Sequence, residues 1–237
     1  MSDRAASVEL SAVVPCFNEE ESVALIEAAL IPALERLGVS YEILAVDDGS
    51  ADRTVERLNA AKARGAPLRV LRHGVNRGLG AAIRTAIGEA RGAWIAVLDA
   101  DMTFAPEQLA GLWKEQKETG ADCVIGSPIL GRYAGVSAAR SLPSRALNRA
   151  YRMLFGGGLT AFTPMFRLYR ASSVKDLPAR CDGFEISVEL AVLLLRRGAK
   201  VVEIPAVLTA RAAGASKLRR FRELARHARL VARLLFA

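Results

Sequence analysis

The chain has 237 residues, 51% of them hydrophobic and 6% aromatic, which is enough apolar material for one sizeable core and too much for a disordered segment. Cys16, Cys123 and Cys181 lie far apart, no Cys-x-x-Cys occurs, and only His73 and His227 offer imidazoles, so the pattern argues against a disulfide framework or a structural zinc site. A formal net charge of +8 suits nucleic acid, an anionic membrane surface or phosphorylated substrates.

The basic residues are clustered. Five arginines and no acid lie from Arg132 to Arg152, and seven basic residues against the single Glu223 lie from Lys217 to the end. No cationic segment followed by an apolar run opens the chain, and charges interrupt every apolar run well before the ~18 residues of a membrane span. The expectation is a reduced, cytosolic protein without a transmembrane helix.

Leu10 to Pro15 reads as the first strand and runs into Cys16-Phe17-Asn18-Glu19-Glu20-Glu21. Asn18 and Glu21 have the spacing of a capping box for a helix that carries Val23, Ile26, Leu30, Leu34 and Leu37 on one face and stops at Gly38. Phe17, just past the strand edge, is placed either to stack on a base or to fill the core. Tyr41 to Val46 is the second strand, ending in Asp47-Asp48-Gly49-Ser50, with Ser50 or Asp52 to cap a helix from Arg53 to Ala63. One aspartate of that pair makes the turn. The other then points into the crevice beyond the strand ends, where open α/β sheets bind ligands.

Leu68 to Leu71 is the third strand, and Asn76-Arg77-Gly78-Leu79-Gly80 opens a helix reaching about Arg91. Gly78-x-Gly80 lacks the third glycine and the following acid of a dinucleotide fingerprint, which argues against a nicotinamide site. Trp94 to Leu98 is an apolar run of a strand buried on both faces, and it ends in Asp99-Ala100-Asp101. Two carboxylates one residue apart at such an edge can share one hard cation, although a turn after a strand also favours Asp.

Pro106 to Glu118 reads as a helix closed by Gly120, and Asp122 to Gly126 as a short strand. Arg140, Arg145, Arg149 and Arg152, set among Leu142, Leu147, Tyr151 and Leu154, make a basic amphipathic stretch that either lies on a membrane or presents a solvated face. From Ser216 to Ala237 one long helix is expected. Its apolar stripe is Leu218, Phe221, Leu224, Ala228, Val231 and Leu235, and its arginines lie elsewhere, which suits either an anionic bilayer or docking on the domain.

The set Val-Val-Pro-Cys-Phe-Asn-Glu-Glu, Val-Asp-Asp-Gly-Ser, Asn-Arg-Gly-Leu-Gly-Ala-Ala and Leu-Asp-Ala-Asp resembles, in order and spacing over about residues 10 to 110, the family 2 glycosyltransferases. The resemblance implies the α/β GT-A fold, a mixed sheet flanked by helices, over residues 1–215, with residues 216–237 as a basic amphipathic helix at the membrane interface. It implies inverting transfer from a nucleotide sugar with Mg²⁺ or Mn²⁺ held by Asp99 and Asp101. Pro15, Phe17, Glu19, Val46 and Asp48 are similar by position to that family's nucleotide-contacting residues, and Asp99, Ala100 and Asp101 to its diphosphate and metal segment.

The second half, with Met165-Phe166-Arg167, Gly183-Phe184-Glu185, Arg211 and Gly214-Ala215-Ser216-Lys217, is similar to short dolichyl- or polyprenyl-phosphate mannose synthases that lack membrane spans. In that branch the equivalents of Arg211 and Lys217 bracket the donor diphosphate and the lipid phosphate. Where it has Gly-Ser-Arg this chain has Gly126-Ser127-Pro128, which leaves Arg132 to supply the arginine. The implied donor is GDP-mannose first and UDP-glucose second. The implied setting is the cytoplasmic face of a membrane, peripherally bound, which is compatible with a membrane-protein partner.

A sugar-hydroxyl acceptor needs a general base, whereas a lipid phosphate already carries nucleophilic oxygens and needs cations to dock it. Arg132, Arg140, Arg145 and Lys217 are the cations on offer, so phosphate is the expected acceptor. Glu185 and Glu189, on the apolar helix ending at Gly198, are the candidate bases if the acceptor is instead a hydroxyl in polysaccharide or glycolipid synthesis; otherwise they anchor arginines. A nucleic-acid module lacks interleaved aromatics and a docking motif. A non-catalytic donor-binding homologue is separated from an enzyme only by activity.

Overall fold

The computed structural model describes residues 8–210 and 220–236. Its strands are β1 (Leu10–Cys16), β2 (Tyr41–Asp47), β3 (Leu68–Arg72), β4 (Trp94–Val97), β5 (Cys123–Ala134), β6 (Arg167–Arg170) and β7 (Val201–Thr209). They form one seven-stranded sheet in the order β3-β2-β1-β4-β6-β5-β7. β1 pairs in parallel with β2 on one side and β4 on the other, so the chain reverses its direction of winding at β1. β6 runs antiparallel between β4 and β5, and β7 completes the sheet parallel to β5.

The central strands are continuous apolar runs because both faces are covered. Val13, Leu44, Val46, Ile95 and Val97 face α3 (Leu79–Glu89), the single turn α6 (Ala171–Val174) and α7 (Ile186–Arg196) in one buried cluster. Ala12, Val14, Ile43, Ala45, Ala96 and Leu98 face the opposite cluster with the helical segments α1 (Ile31–Leu37), α2 (Thr54–Ala63) and α4 (Leu109–Thr119). α1 and α4 end at Gly38 and Gly120, both left-handed, as their sequences predict.

Three expectations need correction. The capping box does not form: Asn18 is left-handed (φ 51°), its side chain accepts the amide of Ala51, and its own amide donates to Ser50 Oγ. Asn18 thus ties two strand-end loops together, and a π-helical turn, Ile26–Leu30, precedes α1. β5 continues well beyond Gly126, bending where its register against β7 shifts between Ser127 and Arg132. Pro128 lies in that bulge, where a residue without an amide proton is tolerated.

The third correction concerns the last helix, α8 (Arg220–Phe236). Leu230 and Leu234 are buried in the same cluster as β1 and β4, and His227 is buried beside them. Leu224, Ala228 and Leu235, on the expected apolar stripe, are exposed, so the helix docks on the domain by a neighbouring face. Of the other stripe residues Val231 packs partly inward, whereas Leu218 and the Phe221 side chain lie outside the described residues. Arginines recur so often along α8 that the sequence does not fix which face is wet. α5 (Ala138–Phe155) meets α8 through Tyr151, whose hydroxyl lies 2.7 Å from His227 Nδ1.

Candidate active site

The carboxyl ends of β1, β2 and β4 open on one cavity of about 810 Å³. Pro15, Phe17 and Glu19 reach it from β1, Asp48 from β2, and Asp99, Ala100 and Asp101 from β4. Leu98 still donates its amide to Val13 O, so the chain leaves the sheet at Asp99 itself. The far wall is made by Met165, Phe184, the end of β7 at Leu208 to Ala210, and Glu223 and Arg226 of α8.

The two expected metal ligands are oriented by one residue. Thr103 donates its amide to Asp101 Oδ1 (3.2 Å) and its hydroxyl to Asp99 Oδ2 (3.4 Å). Met102, between them, is buried and left-handed (φ 49°), a strained conformation of the kind that collects at functional sites. No third His, Cys, Asp or Glu joins the pair in a metal-binding cluster among the described residues. A pair of carboxylates at the rim of a cavity, leaving the other positions to phosphate oxygens and water, fits Mg²⁺ or Mn²⁺.

In the Asp47-Asp48 pair the division of labour is as expected. Asp47 Oδ1 accepts the amide of Ser50 and makes the turn, and Asp52, not Ser50, takes the first amide of α2 at Thr54. Asp48 is buried at the cavity. Its Oδ1 lies 2.6 Å from His73 Nδ1 and accepts the amide of Arg77, and its Oδ2 accepts the amide of Gly78. A carboxylate offers about four acceptor positions, so Asp48 both fixes the loop before α3 and retains one for a ligand.

Gly78 and Gly80 have a packing role. A Cβ at Gly78 (φ 100°) would lie 2.2 Å from Asp182 O, and one at Gly80 2.2 Å from Cys181 O. The amide of Gly80 donates to Asp182 O (2.8 Å). Their absent side chains therefore seat the 181–182 backbone on the start of α3.

Other expected site residues lie elsewhere. Val46 is buried in the core and does not line the cavity. Arg132 is exposed on β5, opposite Val207, also outside the cavity wall. Glu189 is buried away from the cavity: Oε2 accepts the amides of Arg180 and Cys181, and Oε1 pairs with Arg233 of α8. It anchors an arginine and a loop, the structural option of the two expected for it. Arg211 and Lys217 lie outside the described residues; Ala210, just before them, is on the cavity wall.

The segment from Thr160 to Arg167, which brings Met165 to the cavity, is held by the buried Asn148 and Arg167 and the half-buried Glu203. Glu203 accepts the amides of Thr160 and Ala161, and Asn148 Oδ1 those of Phe162 and Thr163. Arg167 is fully buried and donates to the carbonyls of Phe162, Pro164 and Ser187. Unexpected at the site are Thr103, His73, Glu223 and Arg226. Thr103 follows the Asp-x-Asp closely enough to have been found; the others depend on strand register and helix docking.

Comparison with known proteins agrees with this layout. Over 216 residues the chain is 31% identical to a dolichol-phosphate mannosyltransferase of Pyrococcus furiosus, covering 90% of this chain and 60% of that protein. It is 32% identical over 219 residues to an undecaprenyl-phosphate 4-deoxy-4-formamido-L-arabinose transferase of Edwardsiella ictaluri, covering 92% and 65%. The chain thus spans less than two thirds of these relatives. Glucosyl-3-phosphoglycerate synthase of Mycobacterium tuberculosis, solved with Mn²⁺, UDP and glucosyl-3-phosphoglycerate, superposes with a TM-score of 0.69 at 21% identity, over 97% of this chain and 80% of that one. That likeness shows the fold and bears out the expected GT-A arrangement. The glycosyl transferase family 2 model matches residues 11–178, the span that holds the strand ends, Asp48 and the Asp-x-Asp, and the chain belongs to that family.

Proposed function

We propose that the chain transfers a sugar, with inversion, from a nucleoside diphosphate sugar to a polyprenyl phosphate. The observation that carries this reading is the shared cavity: Asp99 and Asp101, oriented by Thr103, face the same space as Pro15, Phe17 and Asp48. Phe17 and Asp48 take the base and ribose, Asp48 through its remaining acceptor position. Asp99 and Asp101 would hold Mg²⁺ or Mn²⁺, which would supply positive charge to the diphosphate. An oxygen of the lipid phosphate attacks the anomeric carbon as the bond from that carbon to the diphosphate breaks, and the nucleoside diphosphate leaves. Arg211 and Lys217, following the cavity wall in sequence, supply further positive charge, and GDP-mannose is the first donor and UDP-glucose the second.

A phosphate acceptor is supported by the placement of Glu189, whose oxygens are committed to backbone amides and Arg233. The relatives named for dolichol phosphate and undecaprenyl phosphate point the same way. The setting we infer is peripheral, on the cytoplasmic face of a membrane; the membrane contact itself is supported by the surfaces of α5 and α8. Leu142, Met153 and Leu154 are exposed on α5 with Arg145, Arg149 and Arg152, and Leu224, Leu235 and Phe236 on α8. Apolar side chains among arginines suit the interface of an anionic bilayer. No helix among the described residues is long and apolar enough to cross one.

The test is a thermal-shift screen of GDP-mannose and UDP-glucose with and without Mn²⁺, followed by assay of the stabilising donor with polyprenyl phosphate and with the parent polyprenol. Saturable stabilisation that needs Mn²⁺ and product formed only from the phosphate are expected. Equal turnover on the alcohol would replace the phosphate acceptor by a hydroxyl.

A further inference from the structure

Two buried carboxylate oxygens near the cavity have no hydrogen-bond donor among the described residues: Glu223 Oε2 on α8 and Glu185 Oε2 just before α7. Glu185 is 5% exposed, and the Glu223 side chain 12%. A buried acceptor left unsatisfied destabilises the protein unless a ligand completes it. Both carboxylates sit by one guanidinium. Glu223 Oε1 accepts Arg226 Nη1 at 3.0 Å, and Arg226 shares the cavity wall with Glu223, Asp99 and Asp101. At Gly183 a Cβ would lie 2.4 Å from both Arg226 Nη1 and Glu185 Oε2. The missing side chain leaves room for both groups beside the 183 backbone.

The cavity lining carries Glu19, Asp48, Asp99, Asp101 and Glu223 against Arg77 and Arg226. An acceptor there without a donor suits a neutral group carrying several hydroxyls rather than a phosphate. The last torsion of the Glu223 carboxylate is broad and soft, so its oxygens can turn while the residue stays on the cavity wall.

We propose that α8 completes the donor site, with Glu223, held by Arg226, accepting hydrogen bonds from the hydroxyls of the transferred sugar. The assignment rests on the reading of the cavity as a nucleotide-sugar site, and makes Glu223 a determinant of which sugar is accepted. A hydrogen bond to a charged acceptor corresponds to about tenfold to a hundredfold in affinity.

The experiment measures dissociation constants of UDP, UDP-glucose, GDP and GDP-mannose, with Mn²⁺, for the full chain and for Glu223→Gln and Gly183→Ala. The second variant crowds Arg226, the partner of Glu223, without removing a charge, and serves if the first does not fold. A loss of about tenfold or more for the nucleotide sugar, with the matching nucleoside diphosphate unchanged, is expected in both variants. Equal losses for the two ligands, or no loss for either, overturn the assignment. So does a Glu223→Gln enzyme that binds the nucleotide sugar normally but does not turn over, which would make Glu223 a base. A wild-type chain that binds none of the four probes overturns the nucleotide-sugar reading itself.

Discussion

Asp48 and His73 are both buried and lie 2.6 Å apart, Oδ1 to Nδ1, with His73 Nε2 3.0 Å from Thr85 Oγ1 on α3. The contact follows from strand register. Asp47 is level with Arg72, so the next residue of each strand comes side by side as both leave the sheet. His73 thereby fixes the carboxylate that holds the amides of Arg77 and Gly78 at the cavity. His73→Phe keeps a buried ring but removes both hydrogen bonds. It should lower stability by about 1–3 kcal/mol and raise the donor KM several-fold more than it lowers kcat. A thermal melt with steady-state kinetics checks this, and an unchanged donor KM would limit His73 to packing.

Asp101→Asn tests the carboxylate pair. An amide keeps the shape and can still accept from Thr103, so the melting temperature should move little. The charge that holds a divalent cation is halved, and turnover should fall by at least about a hundredfold, on the scale of losing a strong electrostatic contact in a transition state. Full activity of the variant, or activity untouched by EDTA, would remove the metal from the reading.

The pair Asp99 and Asp101 was legible because an apolar strand stops there, and Phe17 and Asp48 because they follow two neighbouring strands. Parallel strands bring their ends to one edge, so the sequence order of those residues predicts a shared site. Glu223 and Arg226 were not legible. Their inward placement depends on the rotation of α8, set by the packing of Leu230 and Leu234, and polar neighbours on every side hide that phase. The Asn18 bridge was missed for a related reason: the spacing to Glu21 is local, whereas the competing partners Ser50 and Ala51 come from the next strand end.

The α5–α8 contact should loosen in mild acid. Burial holds the His227 pKa below the ordinary value near 6.5, against the opposing pull of Glu185. His227 is thus neutral in the fold, while the unfolded chain takes up a proton below about pH 6.5. Stability is therefore complete above that pH and falls below it, until the lowered value of the folded state is reached. The Asp122 carboxyl is also held below its ordinary value, its burial outweighed by hydrogen bonds from the Lys200 amide, Ser173 and Arg170. Between pH 7.5 and 5.5 the wild type should lose more stability than His227→Gln. Parallel melting curves for the two would assign the acid sensitivity to other groups.

α8 has two apolar faces, and they should respond differently to substitution. Leu230 and Leu234 are buried against the core, whereas Leu224 and Leu235 are exposed and Phe236 is 89% exposed. Truncating a buried leucine leaves a cavity as well as losing transfer energy, so Leu230→Ala and Leu234→Ala should each destabilise by about 2–5 kcal/mol. Leu224→Ser and Leu235→Ser should change stability by no more than about 0.5 kcal/mol. If the outer face meets lipid, the serine variants should instead reduce sedimentation with anionic liposomes and slow transfer to a polyprenyl phosphate in them, leaving transfer in detergent unaffected. Deleting residues 222–237 cannot separate these effects, because it also uncovers the core. Serine variants that sediment like the wild type would leave α8 a docking helix alone, with α5 and its exposed Leu142 and Met153 as the remaining membrane-facing surface to test.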